Sequence, residues 1–118
     1  MAPLDLALHY FELSNASDFA GIGRLLHADT TYRSGNGDFY LGPEEILVMQ
    51  RAYHATFSIL QWTVDRVEEL KPGVVRLDFT FNGESGSGSP VAYHGIEHII
   101  VRDRRIAHIE VQRRAANP

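Results

Sequence analysis

The chain has 118 residues, a length at which one continuous apolar core forms without disulfide or metal staples. It contains no cysteine, which removes disulfides, thiolate metal sites and cysteine nucleophiles and suits a reducing, cytoplasmic setting. Eleven Lys and Arg against fifteen Asp and Glu give a formal charge of -4, a field that repels phosphate backbones and anionic membranes, so neither nucleic acid nor a membrane is an expected partner. No apolar run reaches the length of a membrane span, and Met1–Asp5 has no basic, apolar leader. The expectation is one cytoplasmic domain over residues 1–118.

From Pro3 to Ser14, Asp5, His9 and Glu12 share one narrow wet stripe, while Leu4, Leu8, Phe11 and Leu6, Tyr10, Leu13 form two adjoining apolar stripes, the pattern of a helix buried on most sides. Ser17 is placed to cap a second, shorter helix, with Asp18 at its positive end and Phe19, Ile22 and Leu26 facing inward. Thr30-Thr31-Tyr32-Arg33 is β-branched and aromatic and reads as a short strand before a Ser34–Asp38 turn. A third helix opens at Gly42-Pro43-Glu44-Glu45, where proline sacrifices no hydrogen bond and two carboxylates meet the helix dipole. Ile46, Met49, Tyr53 and Phe57 continue it at helical spacing.

Beyond Phe57 the period becomes two. Leu60, Trp62 and Val64 alternate with polar residues, Lys71-Pro72-Gly73 suits a type II turn, and Val75, Leu77, Phe79 and Phe81 alternate again, which predicts two long hairpin strands. Asn82–Pro90, rich in glycine and serine, reads as a mobile loop, and two more strands follow, Val91–Arg102 and Arg105–Arg113, turning at Asp103-Arg104. Helices first and a meander of strands afterwards define an α+β class, since parallel βαβ units would need helices between the strands.

Leu25-Leu26-His27-Ala28-Asp29-Thr30-Thr31-Tyr32, Gly42-Pro43-Glu44-Glu45-Ile46 and Arg102–His108 resemble the nuclear transport factor 2-like superfamily, and within it the SnoaL-like group, over nearly the whole chain. The resemblance implies a cone-shaped roll with about three N-terminal helices on the concave face of a curved, mainly antiparallel sheet. It also implies a cavity between the two layers and a homodimer formed through the sheet. Members include cyclases, isomerases, epoxide hydrolases, dehydratases and non-catalytic domains, so no single activity follows.

A two-residue turn at Asp103-Arg104 puts Ile96, His98 and Ile100 on one face with Ala107, Ile109 and Val111, which aims His98 into the cavity as a neutral imidazole. Val111 then faces inward and Glu110 outward. A three-residue turn or a bulge changes this register and brings Glu110 inside. Tyr32 and Tyr53 have phenols able to bind a ligand oxygen. Asp29 sits at the helix-to-strand handover, and Tyr53, His54, Trp62, Phe79 and Phe81 supply lining, although such residues more often simply fill a core. On the outer face Ile99, Val101 and Ile106 are the expected dimer contact.

Two motif matches carry little. His94-Gly95-Ile96-Glu97-His98 spells a zinc-protease pattern, but in a strand the imidazoles lie about 13 Å apart, so no metal is expected. Gly83–Gly88 lacks the lysine and helix of a phosphate loop. The expected function is a small-molecule-binding domain without cofactor, acting as a cyclase, isomerase or hydrolase on a small apolar carbonyl or ring compound. His98 or an inward Glu110 then moves the proton, with Tyr32 or Tyr53 on the charged oxygen. The alternative is a non-catalytic ligand-binding or dimeric accessory module.

Overall fold

A computed structural model describes residues 1–114; the last four residues of the 1–118 span lie outside the described residues. Three helices, α1 (Pro3–Asn15), α2 (Phe19–Leu25) and α3 (Gly42–His54), pack on one face of a six-stranded sheet. The strands are β1 (Leu26–Arg33), β2 (Phe39–Leu41), β3 (Phe57–Lys71), β4 (Val74–Ser85), β5 (Pro90–Arg102) and β6 (Arg105–Arg114), in the order β2-β1-β6-β5-β4-β3. Only β1 and β6 run parallel; every other neighbouring pair is antiparallel. The expected α+β architecture is therefore present, including the mainly antiparallel sheet.

The core follows the apolar periods. Leu6, Tyr10 and Phe11 of α1, Ile22 of α2 and Ile46 of α3 meet Val75, Leu77, Phe79 and Phe81 of β4, and Ile99, Ile106 and Ile109 complete the floor. Burying side chains of this size stabilises a fold by about 1.5–3 kcal/mol each. The Lys71–Val74 turn forms as expected. Gly73 adopts φ 83, and a Cβ there would meet the Val101 carbonyl oxygen at 2.7 Å, so glycine is needed for both backbone conformation and space.

Local expectations are corrected at four places. Asp18, not Ser17, caps α2, its Oδ1 accepting from the Gly21 amide at 2.8 Å; Ser17 takes φ 50 in the link between the helices and points its hydroxyl at His54. Helix α3 stops at His54, so Phe57 opens β3 rather than closing the helix. The 82–90 segment is mostly strand. β4 runs on to Ser85 and pairs with β5 as far as Glu84 and Pro90, which confines the turn to residues 86–89. A short strand, β2, pairs with β1 where only a turn and a helix start were expected.

A further correction, in the last hairpin, decides the site. The last hairpin does turn on Asp103 and Arg104, both in the left-handed region at φ 54 and 64, with Arg102 opposite Arg105. A bulge follows: Val101 pairs with Ile106 but Ile100 pairs with His108, which leaves Ala107 as an extra residue. Beyond it Ile99 faces with Ile109 and Glu97 with Val111, while His98 pairs with Glu110 on the opposite side. The expectation of an inward His98 is overturned, because one surplus residue in β6 reverses which residues of β5 share its inner face. Val111 points inward and Glu110 outward, as read. Ile99 and Ile106, expected on the outer face, are fully buried in the core instead.

Candidate active site

A cavity of about 360 Å³ lies between α1, α3 and the concave face of the sheet. Tyr10 and Phe11 of α1 and Gln50 and Tyr53 of α3 form its roof, and Trp62, Phe79, Tyr93 and Val111 its floor. The Ser34–Asn36 turn and Arg113 stand at one end. Phe79 lies flat over Gly95, its cross-strand partner; a Cβ at Gly95 would come within 2.4 Å of the ring. That missing side chain gives the aromatic its seat in the wall.

Among the described residues, Glu97 is the one acid on this lining. It is 6 % exposed, and its Oε2 has no hydrogen-bond partner. Burial among apolar and aromatic groups disfavours the charged carboxylate and pushes its pKa up to about 8. At neutral pH Glu97 is therefore mostly a protonated acid, able to donate a hydrogen bond or a proton.

Phenols surround it. Burial raises the Tyr10 pKa, with the Glu97 charge adding to the shift and hydrogen bonds from Gln50 and Ser14 opposing it. Burial likewise raises Tyr32, reinforced by Tyr10, Glu97, Tyr93 and Tyr53. Tyr93 is raised by burial and by its hydrogen bond with Tyr53, the two hydroxyls lying 2.8 Å apart, while Arg113 pulls the other way. Arg113 donates to the Tyr53 hydroxyl at 3.3 Å and places its guanidinium 4.4 Å from the Tyr93 ring centre. Tyr10, Tyr32 and Tyr93 keep their protons well above neutral pH. His54 is also on the lining; burial lowers its pKa, and its Nδ1 lies 2.9 Å from the Ser17 hydroxyl.

Of the residues singled out in the sequence, Tyr32, Tyr53, His54, Trp62 and Phe79 line the cavity. Phe81 stands behind the wall, fully buried and stacked on Tyr93 at 4.8 Å. Asp29 is outside, its side chain 84 % exposed beside His27. His98 and Glu110 occupy the outer face, where Glu110 accepts from His108 Nε2 at 2.9 Å and lies 3.8 Å from Arg33. The zinc-like spacing is split by the pleat, with His94 and His98 on the outer face and Glu97 inside.

Sequence reasoning missed Glu97, Gln50, Tyr10, Tyr93 and Arg113 as site residues. Signals pointed to two of them, Glu97 and Gln50. Gly95 opposite Phe79 marks the inner face of β5, since a large side chain there would collide with the ring, and Glu97 is two residues on. Gln50 follows Ile46 by four residues, on the same buried helix face.

The chain belongs to the SnoaL-like domain family, whose model matches residues 7–109. Its architecture is that of the nuclear transport factor 2-like superfamily. Similar solved structures include an NTF2-like protein from Exiguobacterium sp. 255-15 (TM-score 0.84, 16% identity, 94% of this chain and 99% of that chain). A second is an LEH-like epoxide hydrolase from M. tuberculosis (TM-score 0.83, 14% identity, 95% and 82%). A third, from Catenulispora acidiphila, has a ketosteroid isomerase-like fold and was solved with trimethylamine (TM-score 0.81, 17% identity, 90% and 82%). At these identities the likeness is one of fold. No curated protein matches the sequence.

Proposed function

We propose that the cavity is a small-molecule site in which Glu97 is the acid-base group of a cofactor-independent isomerase, cyclase or hydrolase. The reading takes residues 1–118 as one cytoplasmic domain acting on a small, largely apolar carbonyl or ring compound. What carries it is one buried carboxyl with an unpartnered oxygen on the wall of an aromatic cavity. An unsatisfied buried polar group of this kind weakens the fold, and a ligand is the natural partner for it. The ionised fraction of the Glu97 carboxyl takes the proton next to the ligand carbonyl and returns it to the product, Tyr32 and Tyr53 donate to the oxygen on which charge develops, and the apolar walls strengthen each of these bonds by excluding water. Tyr53, Trp62 and Phe79 pack on the apolar body of the ligand. A homodimer through the outer sheet face belongs to the same proposal, with the exposed Ile100, beside the covered Ile96, as its apolar contact.

The test is hydrogen–deuterium exchange next to the carbonyl of small cyclic ketones, with and without a ring hydroxyl, followed by NMR in D2O. The wild type should accelerate exchange and Glu97→Gln should lose about 10²-fold or more of that acceleration. Equal rates in the two proteins would remove Glu97 from the chemistry. A second reading, a non-catalytic binding domain, is favoured by Glu97 standing alone as an acid on the lining among the described residues and by the hydrogen bond tying His54 to Ser17. Ketone binding without accelerated exchange would select it.

A further inference from the structure

Gln50 is as deeply buried as Glu97, at 6 % exposed, and stands on the opposite wall of the cavity. Its Nε2 donates to the Tyr10 hydroxyl at 2.7 Å, while its Oε1 has no partner. Ser14 also donates to the Tyr10 oxygen, and because that oxygen accepts both bonds the phenol keeps its own hydrogen to donate. The pair thus offers the cavity one donor and one acceptor side by side.

We propose that Tyr10 and Gln50 form a hydroxyl-recognition subsite, and that the compound bound in the cavity carries a hydroxyl group. A ligand hydroxyl accepts from the Tyr10 O–H and donates to Gln50 Oε1. Together with the Gln50-to-Tyr10 bond this closes a ring of three hydrogen bonds, each polarising the next. The same ring closes in the opposite sense if the amide turns over, so the recognition does not depend on which way the amide lies. A carbonyl or ether only accepts and an ammonium only donates, and either leaves the ring open. The inference rests on the reading of the cavity as a small-molecule site and narrows its ligand to a hydroxylated ring or carbonyl compound. Glu97 lines the same cavity of about 360 Å³ as Tyr10 and Gln50, so one small molecule can meet both ends.

The test compares three probes of one ring size, cyclohexanol, cyclohexanone and cyclohexylammonium, by ligand-observed NMR titration of the whole chain. In the wild type cyclohexanol should bind at least about tenfold more tightly than the other two, the discrimination expected when a buried polar pair is left open. Gln50→Leu should bring cyclohexanol to within about twofold of cyclohexanone. Tyr10→Phe keeps the ring and removes the donor, and should also abolish the preference should Gln50→Leu not fold. Equal binding of all three probes, or a preference that survives Gln50→Leu or Tyr10→Phe, overturns the subsite while leaving the cavity as a ligand site. Binding of none of the probes overturns the small-molecule reading and the subsite with it.

Discussion

Glu97 couples the stability of the fold to pH. An unfolded glutamate ionises near 4.5, whereas in the fold this one keeps its proton to about 8. Between those values the native state binds more protons than the unfolded state, so the free energy of unfolding falls as pH rises, by at most about 1.4 kcal/mol per pH unit. The loss begins near pH 4.5 and levels off above 8. Glu97→Gln cannot ionise, so its stability relative to the wild type should increase from pH 5 to pH 8.5 in urea titrations; a constant difference would show that the carboxyl is not held neutral. In the sequence the inward facing of this residue is marked by Gly95, two residues before it, and not by alternation. Residues 96–101 put two apolar side chains and one polar side chain at each set of alternate positions, so alternation alone does not orient β5, and the surplus Ala107 that decides the matter has no sequence mark of its own. Tyr32, Tyr53, Trp62 and Phe79 were legible because their spacing ties them to a helix face or to a strand whose facing is unambiguous.

At the scale of elements, the α1 helix is tied to the sheet by a side chain as well as by its apolar stripe. Asn15, the last residue of α1, donates to the Trp62 carbonyl at 2.9 Å and accepts from the Trp62 amide at 2.7 Å, so its amide reproduces the pairing of a neighbouring strand. Asn15→Ala should lower stability by about 1–3 kcal/mol in chemical denaturation, because both backbone groups then lose their partner. An effect below about 0.5 kcal/mol would show that water replaces the amide without cost. The three helices and the long hairpin were readable from period and turn chemistry, and Gly73 fixed one turn unambiguously. The end of α3 was not, since Phe57 continues the helical spacing while its backbone already belongs to β3. The glycines and serines of 82–90 concealed strand ends, because backbone pairing with β5 extends past the point where side chains signal a strand.

For the whole molecule, the helices cover one side of the sheet and leave the other to solvent or to a second copy. That outer face carries ion pairs such as Arg76–Asp78 at 3.0 Å, together with Ile96 and the exposed Ile100. Sedimentation equilibrium at tens of micromolar should give a dimer, and Ile100→Glu should shift it toward monomer by placing charge in the apolar contact. A wild-type monomer at that concentration would count against pairing through this face. The rim of the sheet behaves differently. β3 is an outermost strand of 15 residues with Ile59 and Leu70 exposed along it, the kind of border on which foreign chains nucleate fibres. By occupying both main-chain groups of Trp62, the Asn15 amide acts as a plug midway along that border, so that an incoming strand cannot zip past it in register.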